Sequence, residues 1–294
     1  MSYQVTSDET KNADDPPSAE ELALPLEEFR PPYPTLRQIA ILIAFLPLSF
    51  LVQAVIYPTF PRLSVVASGA TMIAVAAAFI RRWGMSPRRV LLLRGAGAGV
   101  VIHVVFLTVV FAVLLAEVQA MTSSFLPLPG RFAEAMAGLL TVRGGWDFLV
   151  AVIAISLFPA VSEEILFRGL ALTGLRRRFG ARWAVVGSGA LFALAHVNPW
   201  QVIPLLLIGI FISFIVHRTD SLYVGIVAHG TNNLLSLAAL NLGQRYNVGT
   251  LDPQAHLPPV VVLSALVLFT AGMGSFLILT GKENRLRGEE LDGV

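Results

Sequence analysis

From residue 38 onward the chain alternates between long apolar runs and short polar or basic breaks. A helix needs roughly 20 residues to cross the hydrocarbon core of a bilayer. Against that length the runs predict membrane helices at 38–58, 63–80, 95–116, 148–175, 183–199, 202–217, 221–241 and 258–280. The fifth and sixth are short, and Asn198-Pro199-Trp200 separates them. One continuous helix through that break is not expected, because proline lacks the backbone donor and disfavours helix at the residue before it. A further stretch around Arg131–Leu140 predicts an interfacial helix between the third and fourth spans. The fold class expected is therefore all-α, a polytopic membrane helix bundle of about eight transmembrane helices.

Composition agrees with the pattern. The 294 residues are 55% hydrophobic and only 14% charged, with a mean hydropathy of +0.71. A soluble domain carries about 25% charged residues, which argues against an ordinary water-soluble enzyme. There is no cysteine, so disulfides, thiolate metal sites and a cysteine nucleophile are excluded. Residues 1–37 differ from the rest. They hold eight acidic residues and six prolines and are expected to form a tail without a packed core. No basic segment followed by an apolar stretch marks a cleaved signal peptide there.

Charge then orients the bundle. With the N-terminus in the cytoplasm, the outer loops carry only Arg62, Arg131, Arg143 and Arg245, and the other 17 of the 21 Lys and Arg residues fall inside or within a span. One inner loop holds Arg81, Arg82, Arg88, Arg89 and Arg94, and another holds Arg176, Arg177, Arg178 and Arg182. This is the positive-inside asymmetry, and it predicts both termini in the cytoplasm. It also explains the net charge of +2 without a nucleic-acid partner. The organisation expected is a tail (1–37), three N-terminal spans with their loops (38–144), a four-helix core (145–242), and a last span with a short C-terminus (243–294).

Polar side chains within the spans are few: His103, Glu163, Glu164, Arg168, His196, His229, Asn232 and Asn233. Charge inside a membrane costs several kcal/mol unless paired, so each needs a reason. Depth supplies one, at ~1.5 Å of rise per residue. Glu163 stands about 20 Å from Arg176, His196 about 21 Å from Arg182, and His229 and Asn233 about 17 and 23 Å from Arg218. Three helices thus bring polar groups to nearly one level. Glu164 and Arg168 are i and i+4, as are His229 and Asn233, so each pair shares a helix face. Pairing Glu164 with Arg168 leaves Glu163 turned about 100° away and free to face another helix. Two carboxylates, two imidazoles and an amide at one level can polarise water and stabilise an oxyanion. They can equally supply nitrogen and oxygen ligands to zinc, with Glu163, His196 and His229 the candidate set.

Glu163-Glu164-Ile165-Leu166-Phe167-Arg168 matches EExxxR, Phe192-Ala-Leu-Ala-His196 matches FxxxH, and His229-Gly-Thr-Asn-Asn233 matches HxxxN. In this order on separate membrane helices, they resemble the CPBP family of intramembrane proteases. That family includes the type II CAAX prenyl endopeptidases and the bacterial Abi proteins linked to bacteriocin processing and immunity. The resemblance covers roughly residues 145–242. It implies an intramembrane endopeptidase, with Glu163 as general base acting with His196 on a water and His229 and Asn233 holding the oxyanion. Glu164 belongs to the same catalytic set, with Arg168 and Phe192 in support. Family members are usually called metalloproteases, which makes zinc a candidate cofactor. The partner implied is a membrane-associated protein or peptide, prenylated and lipid-anchored chains included, at the bacterial inner membrane.

Other chemistries lack their motifs. There is no HExxH, no GxSxG and no Gly-Asp pair of the aspartyl intramembrane type. The Gly95-Ala-Gly97-Ala-Gly99 stretch is not GxGxxG, and close helix packing is the expected reason for it. His103 is expected to be structural, and His217 and His256 to be solvated near membrane ends. Two readings compete with a protease: a proton-coupled transporter with titrating midplane groups, and a non-enzymatic immunity or binding protein. No internal repeat supports the transporter.

Overall fold

A computed structural model describes residues 33–246 and 255–292, without the side chains of 244–246 and 282–292. The acidic tail, up to residue 32, lies outside the described residues. Among those described, regular structure is helical throughout. Two short helices, α1 (Leu36–Ala44) and α2 (Leu46–Ile56), form the first apolar stretch and are offset at Phe45, ahead of Pro47. Thr35 caps α1 through the amide of Gln38, whose side chain returns the bond to Thr35. Then follow α3 (Pro61–Arg82), α4 (Ala98–Phe125) and the shorter α5 (Gly130–Leu140), over the stretch expected to be an interfacial helix. A long helical run, α6 (Gly145–Ala195), precedes α7 (Val202–Thr219), α8 (Leu222–Tyr246) and α9 (Pro259–Asp292).

Among the described residues six helical stretches are long and apolar enough to cross a membrane, which makes this an integral multipass protein. Two physical features separate six from the eight expected. The spans predicted at 148–175 and 183–199 both fall in α6, where the helix continues up to a break at Gly180 (φ 77, ψ 174). The chain doubles back there: Ser188 Oγ donates to Phe167 O at 2.8 Å, though 21 residues of straight helix would span about 31 Å. The expected span 221–241 forms as α8, but His229, Asn232 and Asn233 lower its apolar character.

The two limbs of α6, before and after Gly180, pack with α7 and α8 into one unit, and α3 and α4 lean on it. Small residues permit the closest approaches, as in other membrane bundles. A Cβ on Gly189 would lie 2.6 Å from Ile210 N, and one on Gly209 would lie 2.8 Å from Gly189 O. On the other side, a Cβ on Gly69 of α3 would reach the Phe158 ring at 2.8 Å and Ser162 Oγ at 2.9 Å. That contact clamps the turn of α6 immediately before Glu163.

Two expectations need correction. The Gly95–Gly99 stretch does not pack helices together. Gly95–Gly97 run as an irregular lead into α4, whose first turn holds Gly99; the stretch is mostly exposed, and a Cβ at Gly95 or Gly99 would meet nothing within 4 Å. His256 is exposed but not merely solvated, since its Nδ1 lies 2.7 Å from Glu117 Oε1. His103 is structural as expected: its Nε2 lies 2.9 Å from both Gly272 O and Ser275 Oγ, joining α4 to α9.

Candidate active site

Glu163 and Glu164 end an α-helical segment, Phe158–Glu164, that is flanked on both sides by π-helix, Val152–Leu157 and Ile165–Ala171. A π-helix widens the turn and changes which carbonyls and side chains face inward, and such segments are frequent at functional sites. Because adjacent helical residues diverge by about 100°, the two glutamates enter different surroundings.

Glu164 is fully buried. Its Oε1 accepts from Arg168, one turn along the same limb, and from His229 Nδ1 of α8 at 2.9 Å. A carboxylate can only accept, so His229 carries a proton on Nδ1. Arg168, also fully buried, reaches α7 with its other nitrogens: Nε donates to Ser213 Oγ at 3.2 Å and Nη2 to Gly209 O at 3.0 Å. The Phe192 ring lies 4.6 Å from the Arg168 guanidinium carbon. It meets His229 edge-on at 5.5 Å and His196 at 4.6 Å between centroids. One aromatic ring therefore touches the arginine and both histidines. Gly225 lets α8 come close enough, since a Cβ there would lie 2.5 Å from a Val216 methyl and 3.0 Å from Glu164 Oε2.

Glu163 faces the opposite way. Its side chain is 17% exposed, and Oε2 has no hydrogen-bond partner among the described residues. That oxygen looks toward His196 Nε2 at 3.9 Å and His229 Nε2 at 3.8 Å. His196 stands at the C-terminal end of the second limb, followed by Val197 at a φ of 47, a conformation costly for a β-branched residue. Its Nδ1 lies 2.8 Å from Phe192 O, which can only accept, so Nδ1 is protonated and Nε2 is left as the acceptor of the neutral ring. Both gaps are too long for a direct hydrogen bond and the right width for one oxygen bonded to each side. Buried polar atoms without a hydrogen-bond partner are rare; among the described residues Glu164 Oε2 and Asn198 Oδ1 are others, but Glu163 Oε2 is the one set between two imidazole nitrogens.

Asn233 sits one turn beyond His229 and is partly exposed. Its Nδ2 makes a long bond of 3.5 Å to Ile155 O in the first π-helical segment. Close by, Ser156 Oγ donates to Gly230 O at 2.7 Å, tying that segment to α8 between His229 and Asn233. Thus Glu163, Glu164, Arg168, Phe192, His196 and His229 form one contact network, and Asn233 stands at its edge. Sequence reasoning missed Ser213, Gly209 and Gly225 as partners of this network. Nothing in an apolar run distinguishes a serine or glycine that faces a buried charge from one that faces lipid.

Zinc fits these donors in type but not in spacing. Bonds of about 2.1 Å in a tetrahedron place donor atoms about 3.4 Å apart, less than the separations from Glu163 Oε2 to either imidazole. Among the described residues, no group of three or more His, Cys, Asp or Glu side chains is disposed to hold a metal ion.

A family model described as Type II CAAX prenyl endopeptidase Rce1-like matches residues 145–235. The match starts where α6 starts and includes all three motifs through Asn233. No curated protein and no solved structure matches the chain.

Proposed function

With residues 145–235 forming an Rce1-like domain inside a multipass membrane protein, we propose that the chain is an intramembrane endopeptidase that cleaves a peptide bond in a membrane-associated protein or peptide. The observation that carries this reading is the unpartnered Glu163 Oε2, set 3.8 and 3.9 Å from two imidazole nitrogens. A water held in that gap touches a carboxylate and the free nitrogen of His196, so its proton has an acceptor as its oxygen attacks the carbonyl. The tetrahedral oxyanion is held by His229 Nε2, which carries a proton in this role, and by the Asn233 amide. Glu164 balances the charge that His229 then bears. Arg168 balances Glu164, and Phe192 holds both rings in orientation. Collapse of the intermediate passes the proton from Glu163 to the leaving amine.

The substrates in view are membrane-associated chains, prenylated or otherwise lipid-anchored ones included. The membrane in view is the bacterial inner membrane. Eight crossings, with both termini in the cytoplasm, complete the proposal. They count the two limbs of α6 separately and include α8, and they place Arg81–Arg94 and Arg176–Arg182 on the inner side. No step passes through a metal.

The test compares protein termini in membranes holding wild-type chain or Glu163→Gln at equal abundance. Termini present only with wild type establish proteolysis and identify the bond. Equal sets of termini, with both proteins folded, overturn it.

A further inference from the structure

One end of the bundle carries charge that the proteolytic site does not use. The end of α3 and the connection after it hold Arg81, Arg82, Arg88, Arg89 and Arg94, the reversal of α6 holds Arg176, Arg177, Arg178 and Arg182, and neither stretch contains a carboxylate. They belong to one face. Ser221 Oγ donates to Arg94 O at 2.6 Å, the preceding Asp220 pairs with Arg176 at 2.6 Å, and a Cβ on Gly169 would run into Leu91 at 2.6 Å. Asp220 neutralises Arg176. The other eight are exposed and meet no carboxylate among the described residues. Arg82, Arg177 and Arg178 lie over the rings of Trp83, Tyr33 and Phe179, which leaves their charge uncompensated. Eight like charges on one face repel one another and favour an anionic partner.

We propose that this face docks the acidic N-terminal stretch of the same chain, residues 8–28. The described chain begins on it: the Tyr33 ring lies 5.3 Å from the Arg177 guanidinium carbon, and Pro34 O lies 2.4 Å from where a Cβ on Gly174 would stand. Tyr33 and Pro34, where residues 1–32 join the described chain, thus stand on the arginine face itself. They carry Asp8, Glu9, Asp14, Asp15, Glu20, Glu21, Glu27 and Glu28 against Lys11 and Arg30, a net charge of −6. At ~3.3 Å per residue Glu28 lies within about 17 Å of Tyr33 and Asp8 within about 80 Å, so every carboxylate can reach the face. The tether supplies an effective concentration in the millimolar range, an advantage over any free anion. An anionic bilayer surface has the same chemistry and is the competing occupant.

The chain has no cysteine, so two engineered thiols are the only ones to label. Spin labels at Ser18→Cys and at Ser86→Cys, an exposed position beside Arg88, report tail-to-face distance by pulsed EPR in the full chain. In neutral phosphatidylcholine nanodiscs a short-distance population is expected. It is lost in 1 M salt, where the screening length is about 3 Å, and lost in Arg88→Glu/Arg89→Glu. Adding Glu20→Lys/Glu21→Lys to that variant restores it. A broad distance distribution insensitive to salt overturns the proposal. So does a short distance unaffected by arginine reversal. In phosphatidylglycerol nanodiscs, loss of a short distance that is present in phosphatidylcholine supports docking, with lipid as a competitor. Absence in both lipids overturns it, whether or not the arginines bind lipid. None of these readouts depends on proteolytic activity.

Discussion

Glu163 and Glu164 are neighbours with the same chemistry and opposite circumstances. Glu164 is sealed, with a guanidinium and an imidazole N–H on one oxygen and helix α8 pressed against the other. Glu163 is partly open, and its Oε2, which like Glu164 Oε2 has no hydrogen-bond partner among the described residues, looks toward the Nε2 atoms of His196 and His229. In the proposed reaction the first carboxylate orients its neighbours and the second acts on water. Rotation by one residue along a helix is enough to divide their surroundings, because α7 supplies Ser213 and Gly209 O to Arg168 beside Glu164, while the Nε2 atoms of His196 and His229 face Glu163.

The widest separation between the two is expected in activity. Glu163→Gln keeps shape and removes the base, so cleavage should fall by about 10²–10⁴-fold, the usual range for a general base. The unfolding temperature of this variant should stay level or rise, because an unpartnered buried oxygen gives the fold nothing. Rate and thermal unfolding measured on one preparation check both. A Glu163→Gln enzyme that cleaves normally would remove the distinction between the two residues.

Stability should show the reverse. Glu164→Ala leaves Arg168 buried without its counter-charge, and breaking such a pair costs about 3–5 kcal/mol. Replacing both partners, as in Glu164→Leu/Arg168→Leu, should cost less than either single change, since no lone charge remains. Thermal unfolding of the two singles and the double in detergent measures this. An additive double would mean that Glu164 and Arg168 are not coupled.

Much of this division was legible in one dimension. The i, i+4 relation predicts the Glu164–Arg168 pair, and counting residues from the arginine loops places Glu163, His196 and His229 at similar depth. The structure brings these three together. Relations between helices were not legible. The rotation that turns Gly209 O and Ser213 toward Arg168 depends on how α6 and α7 cross at Gly189 and Gly209, and both glycines lie in runs that read simply as apolar. The π-helical turns around Glu163 leave no mark in hydropathy, because one extra residue in a turn alters direction and not composition. Apolarity alone is also a weak guide to α8, which forms over the expected residues although His229, Asn232 and Asn233 lower its mean hydropathy.

Gly225 tests how tightly the sealed side is built. An alanine there would press on Val216 and on Glu164 Oε2, and overpacking of this kind costs about 1–3 kcal/mol. Because the methyl displaces α8, which also bears His229, Gly225→Ala should lower both stability and rate. Gly187→Ala, whose Cβ would meet only the flexible end of Leu175 at 3.3 Å, is the control expected to change neither strongly. Equal behaviour of the two variants would show that the approach of α8 is not limiting.

The smallest effect expected is that of metal removal, and it bears on the open side alone. Zinc on Glu163, His196 and His229 would have to draw donors together from separations of 3.8 and 3.9 Å, and would take up the oxygen that otherwise binds water. A glutamate acting directly needs no such contraction. Dialysis against a chelator should therefore leave the rate unchanged, and the purified active chain should hold zinc well below one equivalent. Stoichiometric zinc that is lost in His196→Ala, together with a rate restored by zinc alone, would contradict this. Glu163 would then be a ligand, and the base that accepts the proton would have to be sought among the remaining polar groups, with His196 and His229 no longer free to serve.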